Sequence, residues 1–234
     1  MKTIRLLAFV LLSTSAFRAT AQTAFVQGQD GLMDLKAGPL ITAGAAANAG
    51  DVASGSKTSP GFAYTPGALL DFTYTRNVGF DLGVVYDART INFHDQANSN
   101  LGVNYNFGYI SLRPELRFSG FLIGVGLGLP VSVSTTALGG AATPNLKPGD
   151  VNALFEGRIG GIVELLRSDL GTLNFHVEGS YAFSKNIESA WFHGADATLN
   201  NGPLATAELG ISYLFDLTPF APAPPPAAAV ESSH

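Results

Sequence analysis

The sequence predicts an all-β fold, an eight-stranded antiparallel up-and-down transmembrane β-barrel with a polar interior. Three observations predict it. Apolar side chains recur at every second position in segment after segment, as pleated strands with one greasy face require. The segments are joined by connections that alternate between long and short. The chain is apolar on average, with positive mean hydropathy and only 13% charged residues, yet no apolar run reaches the roughly 18 residues of a membrane-crossing helix. The longest run starts at Phe121, is broken by Gly124, Gly126 and Gly128, and meets Pro130.

The N-terminus sets the compartment. Lys2 and Arg5 form a basic start, 6–12 is apolar, and Ala19-Thr20-Ala21 offers the small residues that signal peptidase reads. Residues 1–21 are therefore expected to be a signal peptide, cleaved before Gln22. An anchor helix is the rival, but this run is far short of the roughly 20 residues a bilayer needs. Removing Lys2, Arg5 and Arg18 from the 13 basic residues leaves ten against 18 acidic, a formal charge near −8, which disfavours nucleic acid as a partner. There are no cysteines, so an exported chain must draw its stability from a packed sheet or from lipid.

The first strand is expected near 32–42, where Met33, Leu35 and Ile41 alternate with Asp34 and Lys36. In 62–74 Phe62, Tyr64, Leu70, Phe72 and Tyr74 oppose Thr65, Gly67, Asp71 and Thr73. In 78–89 Phe80, Leu82, Val84 and Tyr86 oppose Asp81, Asp87 and Arg89. Next, 110–118 sets Ile110, Leu112, Leu116 and Phe118 against Arg113, Glu115 and Arg117. In 121–133 Ile123, Leu127 and Leu129 oppose the three glycines. In 153–165 Phe155, Ile159 and Val163 oppose Glu156, Arg158 and Glu164. The last two strands set Phe175, Val177 and Tyr181 against His176 and Glu178, and Leu209, Ile211 and Tyr213 against Glu208 and Ser212.

Long connections are expected over 43–60, 91–104, 135–150 and 186–203, and short ones at Arg76-Asn77, Ser119-Gly120 and 167–171. Short periplasmic turns with long extracellular loops belong to up-and-down outer-membrane barrels. Parity agrees: Phe118 and Phe121 share a face only if Ser119-Gly120 is a two-residue hairpin loop. The barrel domain is thus drawn at 22–217, and the Pro/Ala-rich stretch 218–234 reads as a disordered tail.

A soluble barrel with apolar residues pointing inward would alternate in the same way. Two features favour the membrane orientation. The polar face is rich in glycine and in charges of both signs at mid-strand. Aromatics, among them Phe62, Tyr64, Phe72, Tyr74, Phe118 and Phe121, gather near strand ends on the apolar face, as girdles at two lipid–water boundaries do.

Tyr109-Ile110-Ser111-Leu112-Arg113-Pro114-Glu115-Leu116 and the ending Ile211-Ser212-Tyr213-Leu214-Phe215 give the chain a family resemblance. It resembles the small outer-membrane β-barrel domains of the OmpA/OmpX type, in particular the PorT-like family. The resemblance implies residence in the outer membrane, lipid as the surrounding partner, and handling by the barrel-assembly machinery during biogenesis.

Candidate chemistry is sparse. Gly124-x-Gly126-x-Gly128 lacks the strand-to-helix turn of a nucleotide loop and reads better as space for charged neighbours across the sheet. His94 and His193 are placed in loops, with Ser189 and Asp196 nearby, but no nucleophile motif frames them. Asp95, Asn98 and Asn100 match no calcium loop, so no metal and no cofactor is expected. The charged residues Asp71, Asp81, Arg113, Glu115, Arg117, Glu156, Arg158, Glu164, His176, Glu178 and Glu208 are expected to form a structural network in the lumen, with Arg89 nearer a solvated mouth. The expected function is structural or surface-interaction, with no catalysis and an unspecified extracellular ligand. A small solute or ion channel is the alternative, and an outer-membrane enzyme using loop residues comes third.

Overall fold

Eight strands alternate with connections in the computed structural model, which describes residues 34–50, 55–75, 77–139, 145–185 and 203–217. They are β1 (Asp34–Asn48), β2 (Ser56–Thr75), β3 (Val78–Asp95), β4 (Gly102–Phe118), β5 (Phe121–Leu138), β6 (Leu154–Ser168), β7 (Gly171–Ala182) and β8 (Leu204–Asp216). Each pairs antiparallel with the next, and β8 pairs back onto β1, from Lys36 opposite Asp216 to Asn48 opposite Leu204. The ring is closed, and no long sheet edge is left around its waist. The expected signal peptide, the start of the first strand at Leu32 and Met33, and the tail lie outside the described residues.

The short turns sit at one end together with the start of β1 and the end of β8. Ser119 and Gly120 take φ of 50° and 84°, the left-handed pair of a type I′ hairpin turn, and Phe118 faces Phe121 across it. The turn expected over five residues at 167–171 is tighter. Ser168 pairs with Gly171, and a bulge at Leu165, between the Glu164–Asn174 and Leu166–Leu173 pairs, absorbs the extra residue. Leu165 and Leu166 consequently both face outward.

At the other end the strands run much further than the sequence reading allowed. β2 has 20 residues, β3 and β5 have 18 each and β4 has 17, whereas about 9–11 cross a bilayer. Of the segments read as loops, 43–48 and 56–60, 91–95 and 102–104, and 135–138 are strand. β6, β7 and β8 are shorter, at 15, 12 and 13 residues, and end near the level of Ser111 and Gly128. A four-stranded wall, β2–β5, therefore stands above the ring, by nine residues on β4 and ten on β3 and β5, roughly 25 Å at a rise of about 3.3 Å and a tilt near 40°.

Side-chain phase inverts where this wall begins. In the ring, Ile41, Val84, Ile110, Leu127 and Ile211 point out and the charged residues point in. In the wall, Ile91, Phe93, Val103, Tyr105 and Phe107 are buried inside, while Thr90, Asn92, Asn104 and Asn106 face outward. The aromatics Phe62, Tyr64 and Tyr86 sit at the upper limit of the outward apolar band, and Phe72, Tyr74, Phe118 and Phe121 at its lower limit. Phe62 and Phe72 are ten residues apart on β2, which is roughly 25 Å along the barrel axis and matches the height of an outer-membrane apolar band.

Ring closure has a direct electrophoretic consequence. Unboiled protein in SDS is expected to migrate faster than boiled protein, because a closed barrel offers no free edge from which to unravel. Equal migration of the two samples would contradict the closed ring.

Candidate functional site

The interior of the ring is filled by charge. Inward parity on β3, β4, β6, β7 and β8 aims long side chains at one another across a lumen that eight strands make just wide enough for them. Arg158 on β6 is the hub. Its Nε donates to Glu115 Oε1 at 2.9 Å, its Nη1 to Glu156 Oε1 at 2.6 Å, and its Nη2 to Glu178 Oε2. Arg89 grips Asp87 through Nε and Nη2 at 2.8 and 2.6 Å, and its Nη2 also lies 2.7 Å from Glu156 Oε2. Arg113 donates to the same Asp87 at 2.9 Å and to Thr65 at 3.2 Å, with Glu178 and Glu208 each 3.8 Å away. Thr42 and Thr65 donate to Glu208 at 3.0 and 3.1 Å. Below these, Arg117 donates to Asp71 at 2.8 Å and to Thr73.

Glycines make room for this packing. A Cβ at Gly124 would lie 2.7 Å from Glu115 Cγ, and one at Gly126 2.6 Å from the Glu156 carboxylate. The three-glycine run is therefore strand, its inner face occupied by neighbouring charged side chains.

Of the lumen residues named from sequence, Asp71, Asp81, Arg113, Glu115, Glu156, Arg158, His176, Glu178 and Glu208 are buried, and Arg117 is nearly so. His176 bonds Ser212 through Nε2 at 2.8 Å, and its Nδ1 lies 3.4 Å from Glu178. Asp81 stands apart: neither carboxylate oxygen has a hydrogen bond among the described residues, and Arg117 is 4.0 Å away. A cavity about the size of one water lies between Asp81, Arg113, Glu115, His176 and Glu178. Glu164 is not brought into the network. Its side chain is 41% exposed at the turn end of β6 and pairs with Arg167 at 2.7 Å.

Arg89 is the larger correction. Its side chain is fully buried rather than placed at a solvated mouth, because β3 runs on to Asp95 and makes position 89 mid-barrel. With Asp87 it belongs at the centre of the network. Its odd parity, shared with Asp81, was the available signal. Lys36 seals the lower end, buried and 3.2 Å from Asp216.

Above the charges the lumen is roofed by an apolar cluster. Ile91, Phe93, Val103, Tyr105, Phe107 and Tyr109 lean from the wall onto Val151, Leu154, Ala182 and Leu204 at the rim of the shorter strands. Ring centroids step from Phe93 to Tyr105 at 5.7 Å, to Phe107 at 6.1 Å and to Tyr109 at 6.4 Å.

The remaining candidates are absorbed by local structure. His94 lies on β3, held by Ser59 at 3.1 Å and the Ser99 carbonyl at 3.2 Å. Asp95 Oδ1 accepts the N–H groups of Ala97 and Asn98, and Asn98 Oδ1 that of Asn100, so these oxygens build the turn. No group of metal-ligating side chains occurs among the described residues. Ser189, His193 and Asp196 lie outside them.

No family model matches this chain, and no curated protein matches it. Among solved structures, outer membrane protein AlkL in lipid bilayers is 17% identical, covering 86% of this chain and 99% of its own, with a TM-score of 0.40. Ail, the attachment invasion locus protein of Yersinia pestis, is 11% identical over 79% of this chain and all of its own, at 0.33. The outer membrane protein OprG of Pseudomonas aeruginosa is 13% identical over 78% and 95%, at 0.32. The barrel assignment rests on this chain's own registers, which close the ring from β1 through β8.

Proposed function

We propose that this chain is an outer-membrane barrel with a structural or surface-contact role, its ring set in lipid and its β2–β5 wall presented outside. The observation that carries this reading is an interior occupied along its length. Lys36 and its carboxylate partners lie at the turn end, the arginine–carboxylate network fills the middle, and the aromatic roof closes the top. A filled lumen favours an anchor over a channel, and no catalytic step is assigned to it. The outward apolar band between two aromatic levels fits lipid as the surrounding partner.

Two measurements test the reading. Cysteines at Asn98 and Ser168 report topology: with an impermeant thiol reagent on intact cells, Asn98→Cys is expected to label and Ser168→Cys to stay protected, because the short turns face the periplasm. The reverse pattern would invert the barrel. In planar bilayers the purified protein is expected to show no steady conductance, and stable unitary steps would replace the anchor reading with the channel one.

A further inference from the structure

The outward face of the wall has a composition that neither lipid nor open water explains. Three registers cross it on β3, β4 and β5: Thr90–Asn106–Ser134, Asn92–Asn104–Thr136, and above them His94–Gly102–Leu138. Between Tyr86 and the Asp95 turn this face carries no carboxylate among the described residues, although the whole chain is acidic. Water-exposed protein surface is commonly about a quarter or more charged residues. Here amides and hydroxyls stand in their place.

These groups are held in position by the sheet. Thr90 Oγ1 donates to Asn106 Oδ1 at 2.8 Å, Asn106 Nδ2 reaches Ser134 Oγ at 3.4 Å, and Asn92 Nδ2 donates to the Pro60 carbonyl at 3.0 Å. Each bond uses only part of a primary amide's capacity of two donors and two acceptor lone pairs. The orientation is set in advance, which lowers the entropy lost when a ligand binds. Directly below lie Tyr64 and Tyr86, amphipathic rings at the upper edge of the apolar band, with the Tyr86 hydroxyl 3.1 Å from Ser132.

We infer that this face docks the saccharide head groups of outer-leaflet glycolipids, an inference that rests on the membrane placement proposed above. Position selects the source. The face looks outward, on the same side as the lipid-facing band and continuous with it across the Tyr64–Tyr86 level, so the head-group layer of the surrounding leaflet is what meets it. Chemistry selects the class. Sugar hydroxyls pair with neutral amides and hydroxyls, and their C–H faces lie against aromatic rings. Phosphate would call for a cluster of cations, whereas Lys57 and His94 stand only at the upper rim.

The test uses the full chain in phosphatidylcholine nanodiscs titrated with purified lipopolysaccharide, followed by the side-chain amide NMR signals of the wall asparagines. Saturable shifts at Asn92, Asn104 and Asn106 are expected. Asn92→Ala and Asn106→Ala should each raise the half-saturating concentration about 2- to 13-fold, the effect of losing one net hydrogen bond. The same shifts from phosphatidylglycerol, an anionic lipid without sugar, would overturn the inference, as would variants that titrate like the parent. Equal half-saturation with the detached core oligosaccharide would move the source from the membrane to free sugar and also overturn it. Loss of heat-modifiable insertion into the nanodisc would instead count against the membrane placement itself.

Discussion

Arg158→Ala is expected to be among the most destabilising single substitutions in the ring, by about 3–5 kcal/mol, because it strands buried carboxylates in a space with little water. Three acids lean on this guanidinium, but they do not lose equally. Glu156 keeps Arg89 at 2.7 Å and Ser180 at 2.8 Å, and Glu178 keeps His176 at 3.4 Å. For Glu115 the Arg158 bond is the one hydrogen bond among those described above, so the stranded charge is chiefly there. Adding Glu115→Gln to Arg158→Ala should therefore recover part of the loss, a coupling that a double-mutant cycle reads directly. The measurement is the urea midpoint of the heat-modifiable band in detergent. Arg167→Ala is the control: that side chain is 59% exposed, pairs only at the turn end, and should cost under about 1 kcal/mol. A midpoint for Arg158→Ala equal to that of Arg167→Ala would mean that the lumen is hydrated and the network is not a plug.

Arg89→Ala is expected in the same range as Arg158→Ala and Arg113→Ala. This removes the difference that a place near a solvated mouth implies, and the reason shows what was legible. Alternation located all eight strands, gave the direction of nearly every charge, and placed the Ser119-Gly120 hairpin with its Gly124–Glu115 register. Alternation does not say where a strand stops. Asp87 and Arg89 lie on the inward face in the sequence as clearly as Asp81. Arg89 reads as lying near the mouth because the apolar-out pattern ends at Tyr86.

That pattern ends without the strand ending. Ile91, Phe93, Val103, Tyr105 and Phe107 still recur at every second position, with Asn92, Asn104 and Asn106 between them, but the apolar set has moved to the inner face. The physical cause is a change of solvent. Where lipid surrounds the sheet the outside must be apolar, and where water or head groups surround it the hydrophobic effect buries the apolar set within. A reading that looks for one phase along a whole barrel sees such a crossing as a loop. Glu164 failed for a different reason: it pairs with Asn174 in the expected register, but it stands only four residues before the Ser168–Gly171 turn, at the rim, where its carboxylate meets Arg167 and solvent, and alternation gives a side chain's direction without its height.

Phe107→Ala tests the roof, and its expected effect is of similar size. Phe107 is 3% exposed and stands between the rings of Tyr105 and Tyr109. Truncating such a ring removes its burial and leaves a cavity that its neighbours fill only in part, which costs about 3–5 kcal/mol. Phe62→Ala is the matched control. That ring is 59% exposed at the upper edge of the lipid-facing band, so its loss opens no cavity and should cost distinctly less. Conductance separates the two closures of the lumen. Beneath the roof Arg89 still joins Asp87 to Glu156, so Phe107→Ala alone should lose stability while bilayer conductance stays at the parent level. Channel steps from Phe107→Ala alone would show that the aromatic roof was the sole barrier and that ions pass the charge network. Stability equal to the parent would mean that the wall's inner face is not a packed core, and with it the phase inversion at Tyr86 would fall.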